Sequence, residues 1–594
     1  MKIRVAEKIV DILIEVGIRH LFGIPGGLVM NIFDAMHDRQ DQIMPIVARD
    51  EQTASCMAEM YGKLTRRPGV FAAQGGFAAS TGLFGVFEAF MASTPMLVLT
   101  EMSDLGPFSI HSPFQSSTGE YGTLDVKEVF KNNTKYLTVA HYPREAILGV
   151  QLAIKHAVSD RPGPSVCIFK SRAIGGTVEG EGLPAIYETK RFLISSKTRP
   201  PEQEIERASD LLAGAKRPVI IAGNGLRISG GFEELREVAE FLGAPVVTSY
   251  MGKSSLSETH PLAAGTIGYT GSSFANDTLS LADVILVAGC RLKAQETCFE
   301  NTKVIDPKRQ KIIQIDIDPR NASWTVPVDV ALIGDAALTL GLLKAAIERT
   351  GKKINGSKRI EEFRALKEKR AFFDDPVLRS TAVPIYPQRV VRELQEALPE
   401  ETILCTDGGN NRHWMNHFFQ TKRPNCYFGT GGLGGVSWSL PAALTAKILY
   451  PGVPSVAVCG DGGFAMQMHV LLTALQYRVS PIFVIMNNAS FGMTGQSMGD
   501  RGACCDLIDV DFAAAARSFG CFGERVDRPG QVAEAVRAAL AQQKPAVVDV
   551  VIDRNQSMKG TIYSPLASEA LKKAYEGEGI QASSLRVFKD KKAY

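Results

Sequence analysis

Two apolar runs in this chain end in polar residues whose types suit a cation bound to a phosphate. The run Ser455 to Cys459 (SVAVC) stops at Gly460-Asp461-Gly462-Gly463, and a helix-compatible segment follows. A second run, Pro481 to Met486, ends in Asn487-Asn488. If both runs are strands of one parallel sheet, their ends open on the same edge, where ligands of α/β folds sit. Asp461 and Asn488 then meet there, although 26 residues lie between them. A carboxylate and an amide oxygen suit a hard cation such as Mg2+. Gly462 and Gly463 bare backbone N–H groups at a helix start, which suits a diphosphate. A further carboxylate, Glu51, follows the candidate strand Ile43 to Val47 and opens a helix-compatible stretch. Taken alone it is an ordinary helix-start acid favoured by the helix dipole.

The elements that must position these residues come from the chain read in order. At 594 residues the length predicts roughly three to four domains. Residues 1–175 alternate helix and strand signals, with strands near His20, at Ile43–Val47, Val70–Ala73, Met96–Thr100 and Ser165–Phe169. A stretch from 171 to about 205 reads as linker. A second unit, 190–348, carries strands at Val219–Ala222, Pro245–Thr248, Val284–Ala288 and Lys311–Ile317. A charged helical segment at about 355–374 leads to a third unit, 376–560. Its strands are Thr402–Cys405, the two opening runs and Ala546–Ile552. The tail 561–594 is polar and Lys-rich, read as a lid or a solvated end. The expected fold is α/β, three doubly wound parallel-sheet domains.

Composition narrows the function classes. A net charge of +3 with interspersed signs gives no ground for nucleic-acid or anionic-membrane partners. The ten cysteines form no CxxC, so neither a zinc site nor a disulfide framework is predicted, and reduced thiols in a cytoplasmic protein are expected. The N-terminus reads as an amphipathic helix and not a secretion signal. No apolar run is long enough to predict a transmembrane helix.

A GDG followed by 24 residues and NN, each ending an apolar run, is the signature of thiamine-diphosphate enzymes. FGIPGG near the start, the glutamate in ARDEQ (Glu51), RPGP at 161–164, IDIDP at 315–319, and GGLG followed by LPAA at 431–443 also match that family in order. The chain most resembles acetolactate synthase and related 2-oxoacid decarboxylases and carboligases, over nearly all of residues 1–555. The resemblance implies a pyrimidine-binding domain, a central Rossmann-like domain and a diphosphate-binding domain. It also implies active sites shared between subunits of a homodimer or homotetramer, with the glutamate from one chain and the diphosphate site from the other.

Residue by residue, the resemblance assigns Mg2+ to Asp461, Asn488 and the backbone oxygen of Ser490. Gly462, Gly463, Gly492 and Met493 would approach the diphosphate. Asn410 and Asn411 stand where acetolactate synthases carry Gln-His; they either donate to the cofactor or form a turn. Glu51 would hydrogen-bond the pyrimidine N1′. Gly434 and Val436 would meet the aminopyrimidine edge, and Val436 takes the place of the bulky apolar residue that bends the cofactor. Gly26 would lie near the reactive face, and Gln115 matches a Phe-Gln pair facing the active site.

Departures from the family bear on the substrate. Phe77 replaces a glycine beside the site, Ser497 stands where a tryptophan shapes 2-oxobutyrate selection, and Val470 replaces a glutamate. His111 and His469 are candidate proton shuttles or structural histidines. In the central unit, relatives bind FAD, ADP or nothing. Here Gly223-Asn-Gly225, Gly265-Thr-Ile-Gly268, Arg291 and Asp316-Ile-Asp318 resemble nucleotide-contacting segments, but the family's RFDDR run has lost its acidic pair. The leading expectation is a thiamine-diphosphate- and Mg2+-dependent 2-oxoacid decarboxylase/carboligase, with FAD left open. The alternatives are a C–C lyase or hydrolase, a non-ligating decarboxylase, and a non-catalytic binding protein. The glycine-rich segments do not make the fingerprint of a nicotinamide dehydrogenase.

Overall fold

A computed structural model describes residues 2–104, 115, 117–179, 182–370 and 373–578. It contains three six-stranded sheets, every neighbouring pair in them parallel. The first is built from β1 (His20–Gly23), β2 (Met44–Val47), β3 (Gly69–Ala72), β4 (Met96–Glu101), β5 (Tyr136–Ala140) and β6 (Pro164–Phe169), in the order β2-β1-β3-β4-β6-β5. The second comprises β7 (Pro218–Ala222), β8 (Val246–Thr248), β9 (Ala263–Thr266), β10 (Val284–Ala288), β11 (Lys311–Asp316) and β12 (Val330–Ile333), ordered β9-β8-β7-β10-β11-β12. The third comprises β13 (Ile403–Thr406), β14 (Tyr427–Gly429), β15 (Ser455–Gly460), β16 (Ile482–Asn487), β17 (Phe522–Val526) and β18 (Ala546–Val551), ordered β14-β13-β15-β16-β18-β17. The first and third sheets thus repeat one strand order, as expected of duplicated α/β domains.

Interior strands are apolar on both faces, because helices cover both sides of a parallel sheet. Strand β4 (MLVLTE) and β16 (IFVIMN) are buried along their whole length. The polar ends of these runs are where the chain leaves the sheet. Register pairs Gly460 of β15 with Met486 of β16, so Asp461 and Asn488 depart from one sheet edge.

The chain divides into two compact units. One comprises Met1–Ser196, Thr430–Pro451 and Gln467–Val479; the other comprises Lys197–Gly429, Gly452–Met466 and Ser480–Tyr594. Two stretches that follow β14 and β15 in sequence therefore pack with the first sheet's unit. Helix Ser439–Leu449 lies against helix Glu51–Thr65, whose buried face includes Ala54, Met57, Ala58 and Tyr61.

Several expectations need correcting. Gly460-Asp461-Gly462-Gly463 is no open turn: helix Asp461–Gln467 starts directly from β15. A Cβ on Gly462 would sit 2.5 Å from the Phe491 ring, so only a bare backbone lets the helix start there. The stretch read as linker holds helix Ser171–Ile174 and strand Thr177–Glu179, which pairs antiparallel with Lys2–Arg4. The tail is docked up to residue 578: in helix Pro565–Gly577, Ala567 is buried in the central core, and Tyr563 and Leu566 pack on that core. Among the described residues no helix is long and apolar enough to cross a membrane.

Candidate active site

In the unit that carries the third sheet, Asp461 is the first residue of its helix and is only 4% exposed. Its Oδ2 accepts the Ser490 N–H at 3.1 Å. Burial raises its pKa, and N–H groups of Asp461, Asn488, Ser490 and Gly462 offset this only in part. A buried carboxylate surrounded by backbone donors lacks a compensating positive charge, which a cation supplies. The Ser490 carbonyl accepts from Gly492 at 2.8 Å and keeps a second lone pair. A Cβ on Gly492 would lie 2.6 Å from Asn488 Nδ2, so glycine there keeps the Asn488 amide in place. Among the described residues no three His, Cys, Asp or Glu side chains gather around a metal position. The oxygen set is one carboxylate, one amide and a carbonyl, which suits Mg2+ completed by phosphate and water.

The two asparagines of the NN pair diverge. Asn487 points away from Asp461, donating to Asp549 Oδ1 (3.0 Å) and the Val510 carbonyl (3.1 Å). Burial pushes Asp549 up to about 6 despite Asn487 and Arg525. Asn410 and Asn411 open helix Asn410–Phe418 at the end of β13. Their amide nitrogens donate inward, to Gln496 Oε1 (3.0 Å) and the Gly408 carbonyl (2.9 Å), while both Oδ1 atoms are buried without a partner. Each amide nitrogen carries a second N–H, so both residues keep a donor as well as a buried acceptor. Gly463 is buried, Met493 packs on the third sheet's core, and Ser497 turns its hydroxyl to the Met493 carbonyl.

In the other unit, Glu51 is the first residue of helix Glu51–Thr65, capped by Asp50, which accepts the Thr53 N–H at 2.6 Å. Glu51 is half-buried, and its Oε2 accepts one long bond, 3.3 Å, from the Thr81 hydroxyl. Its neighbour Gln52 donates to Ser437 Oγ (3.2 Å), just past Val436. That loop is anchored at its start by Glu88, whose carboxylate accepts from Gly432 N (3.0 Å), Leu433 N (2.7 Å) and Thr430 Oγ1 (3.0 Å). Lys63 Nζ lies 2.9 Å from Glu59 and 3.4 Å from Glu88, and Glu59 also accepts the Trp438 indole N–H. Burial favours the neutral acid at both glutamates. At Glu88, Lys63 and the loop N–H groups outweigh it and hold the pKa down, while Glu59 remains raised. Gly434, at φ +76°, and Val436 follow in the same loop.

Gly26 and Gln115 come together through Gln74. A Cβ on Gly26 would lie 3.5 Å from Gln74 Oε1, and Gln74 donates to Gln115 at 3.0 Å. Gln115 holds a positive φ of 64°. His469 is not a free shuttle. Its Nε2 lies 2.5 Å from Asp50 Oδ2 and 3.0 Å from Thr53 Oγ1, so it braces the cap in front of Glu51. Phe77 is partly exposed and Val470 fully buried; His111 lies outside the described residues. Sequence reasoning missed Thr81, Glu88, Gln74 and the Asp50–His469 pair. None carries a motif; Thr81, Gln74, Glu88 and His469 reach Glu51, Gln115, Gly432 and Asp50, all distant in sequence.

Comparison with known proteins places the whole chain in a family. Sequence models of the thiamine pyrophosphate enzymes match in three parts: the N-terminal TPP-binding domain over residues 3–118, the central domain over 205–343 and the C-terminal TPP-binding domain over 407–550. The chain is 32% identical over 566 residues to a probable acetolactate synthase large subunit of Methanocaldococcus jannaschii, covering 93% of this chain and 92% of the relative. It is 28% identical over 567 residues to acetolactate synthase isozyme 3 large subunit of Escherichia coli (93% and 95% covered). It is also 28% identical over 578 residues to a sulfoacetaldehyde acetyltransferase of Castellaniella defragrans (92% and 93% covered). With three matched domains and relatives spanning nearly its whole length, the chain belongs to the thiamine-diphosphate-dependent enzymes, acetolactate synthase-like transferases and lyases.

Proposed function

We propose that this enzyme decarboxylates a 2-oxoacid and passes the resulting acyl unit to a second carbonyl, with Mg2+ anchoring thiamine diphosphate. The observation that carries the reading is the buried Asp461 carboxylate, held only by backbone donors at the sheet edge it shares with Asn488. In this reading the side-chain oxygens of Asp461 and Asn488 and the carbonyl of Ser490 hold the cation. Backbone at Gly462, Gly463, Gly492 and Met493 admits the diphosphate, with Asn410 and Asn411 beside it. The thiamine supplies, when bound, a nucleophilic carbon and an electron sink. Glu51 shares a proton with the pyrimidine N1′. Gly434 and Val436 fix the aminopyrimidine edge, and Gly26 and Gln115 line the approach for substrate. A homodimer or homotetramer lets Glu51 of one copy serve the metal site of another.

The central domain is offered as a nucleotide site of the FAD or ADP kind. Asp318 is already committed to Arg320 (2.8 Å), and Asp316 to Asn321 (3.2 Å) and the Asp318 N–H. Recognition of a ribose there competes with these bonds. A cytoplasmic location fits the ten free cysteines.

The test is CO2 release from pyruvate with thiamine diphosphate and Mg2+, with products identified by mass spectrometry. Absence of turnover across a panel of 2-oxoacids and 2-hydroxyketones would overturn the reading. Phe77, which projects a bulky ring from helix Gly75–Ala78, and the acetyltransferase relatives support a second reading: cleavage of a different carbonyl donor with acetyl transfer. Acetylated product without 2-oxoacid consumption distinguishes it.

A further inference from the structure

Three sulfur atoms converge on the segment that follows the proposed diphosphate loop. Met498 ends helix Gly492–Met498, and the 3-10 segment Gly499–Cys505 returns two adjacent cysteines to it. Met498 Sδ lies 3.8 Å from Cys504 Sγ and 4.0 Å from Cys505 Sγ. Of the ten cysteines, Cys504 alone is exposed, so the cluster has an entry path that the nine others lack. Cys504 Sγ also lies 3.8 Å from the Arg501 carbonyl, and the Cys504 and Cys505 side chains are within hydrogen-bonding reach of each other.

These two distances match two sides of a coordination triangle. Three sulfurs around one ion at about 2.3 Å stand about 4.0 Å apart, the side of an equilateral triangle being 1.7 times its radius. A thioether with two thiols is a soft donor set. It suits Cu(I) better than Mg2+ or Ca2+, which take oxygen, and better than Zn2+, which closes four-coordinate structural sites with thiolate, imidazole or carboxylate. We propose that Met498, Cys504 and Cys505 form a trigonal site for a soft monovalent cation of the Cu(I) class. Binding forms two thiolate–metal bonds and one dative thioether bond, releases two thiol protons and transfers no electron.

The site is wired to the loop beside it. The Cys505 carbonyl accepts from Phe491 N (2.9 Å) and Ser490 Oγ (3.1 Å), and Leu507 N donates to the Ala489 carbonyl at 2.8 Å. A cation that clamps Cys505 therefore stiffens Ala489–Gly492 from outside. The proposal does not depend on which reaction the enzyme performs.

The experiment is anaerobic titration of the reduced full-length enzyme, with thiamine diphosphate and Mg2+ present, against Cu(I) held by a colorimetric chelator. The expected result is one equivalent taken from the chelator. Cys504→Ser should weaken it at least 100-fold, and Met498→Leu about tenfold. Hydrogen exchange should slow across residues 489–507 on loading. The proposal is overturned if the wild type takes none, or if Cys504→Ser and Cys504→Ser/Cys505→Ser both retain the same stoichiometric affinity. It is equally overturned if the enzyme still takes one equivalent of Cu(I) after both thiols have been alkylated. Cys504 is exposed, so its variant tests binding without disturbing the core.

Discussion

Asp461 and Glu51 are both carboxylates at the first turn of a helix that leaves a parallel sheet, yet the two units treat them differently. Asp461 is almost fully buried and gripped by backbone donors. Glu51 is half-buried and held by one long bond from Thr81. The proposed metal ligand is preorganised by its own sheet edge, where two adjacent parallel strands deliver Asp461 and Asn488 in fixed register. The proposed proton-sharing glutamate is positioned one step more loosely, by a helix whose cap is braced by His469 and whose neighbouring loop is braced by Glu88. A ligand for a hard cation must be rigid, because Mg2+ demands near-ideal geometry. A proton carrier must keep one oxygen free for the group it serves.

The comparison is broken most severely by Asp461→Ala. Mg2+-dependent cofactor retention should fall more than about 100-fold, beyond the 10–100-fold typical of losing an outer-shell partner. Equilibrium dialysis with labelled thiamine diphosphate, with chelator as the parallel arm, measures it. Next comes Glu51→Gln, which should lower kcat by about 10²–10⁴-fold while leaving the cofactor bound. Equal loss of cofactor in both variants would show that the two carboxylates do not divide their work. Glu88→Ala leaves the loop N–H groups unpaired and should cost about 3–5 kcal/mol in denaturant unfolding.

The third sheet's side offers a pH handle. Asp549 is raised from 3.8 to about 6 on folding. The folded state holds that proton where the unfolded chain has lost it, so the stabilisation is present below about pH 4 and lost as pH rises through about 6. Two pH units correspond to roughly 3 kcal/mol. Asp549→Asn should therefore gain on the wild type in melting temperature between pH 4 and 7, and a constant difference would reject the assignment. The smallest effect is expected from Thr81→Val, about 1 kcal/mol or less on the Glu51-dependent step. It should appear in kcat and not in cofactor affinity.

Legibility in the sequence followed position in the sheets. All twelve interior strands announce themselves as apolar runs, because they are covered on both faces and by neighbours on both sides. Of the six edge strands only β2 does so. Strands β5 and β17 are half-buried over most of their length, β14 has three residues, β9 reads AAGT and β12 alternates. An edge strand takes half its partners from one neighbour and leaves less of a hydrophobic trace. The same rule governs the site. Asp461, Asn488 and Glu51 end or follow apolar runs and were legible. Thr81, Glu88 and Gln74 act from elements distant in sequence, and no spacing marks them; His469 stood out by type, but nothing in the sequence paired it with Asp50.

The sequence by itself determined the family, the three-sheet α/β architecture and the residues that terminate its buried strands, since strand ends are written into hydrophobic pattern and the motif spacing is specific. Only the tertiary structure decided how each was used. It turned Asn487 away to Asp549 while leaving Asn488 beside Asp461, tied the Asn410 and Asn411 amide nitrogens to Gln496 and the Gly408 carbonyl, and enlisted His469 in the cap before Glu51. It also joined Thr430–Pro451 and Gln467–Val479 to the first sheet's unit. Those outcomes depend on which side chains the fold brings within hydrogen-bond distance, and that distance is set by packing across the chain and not by local order along it.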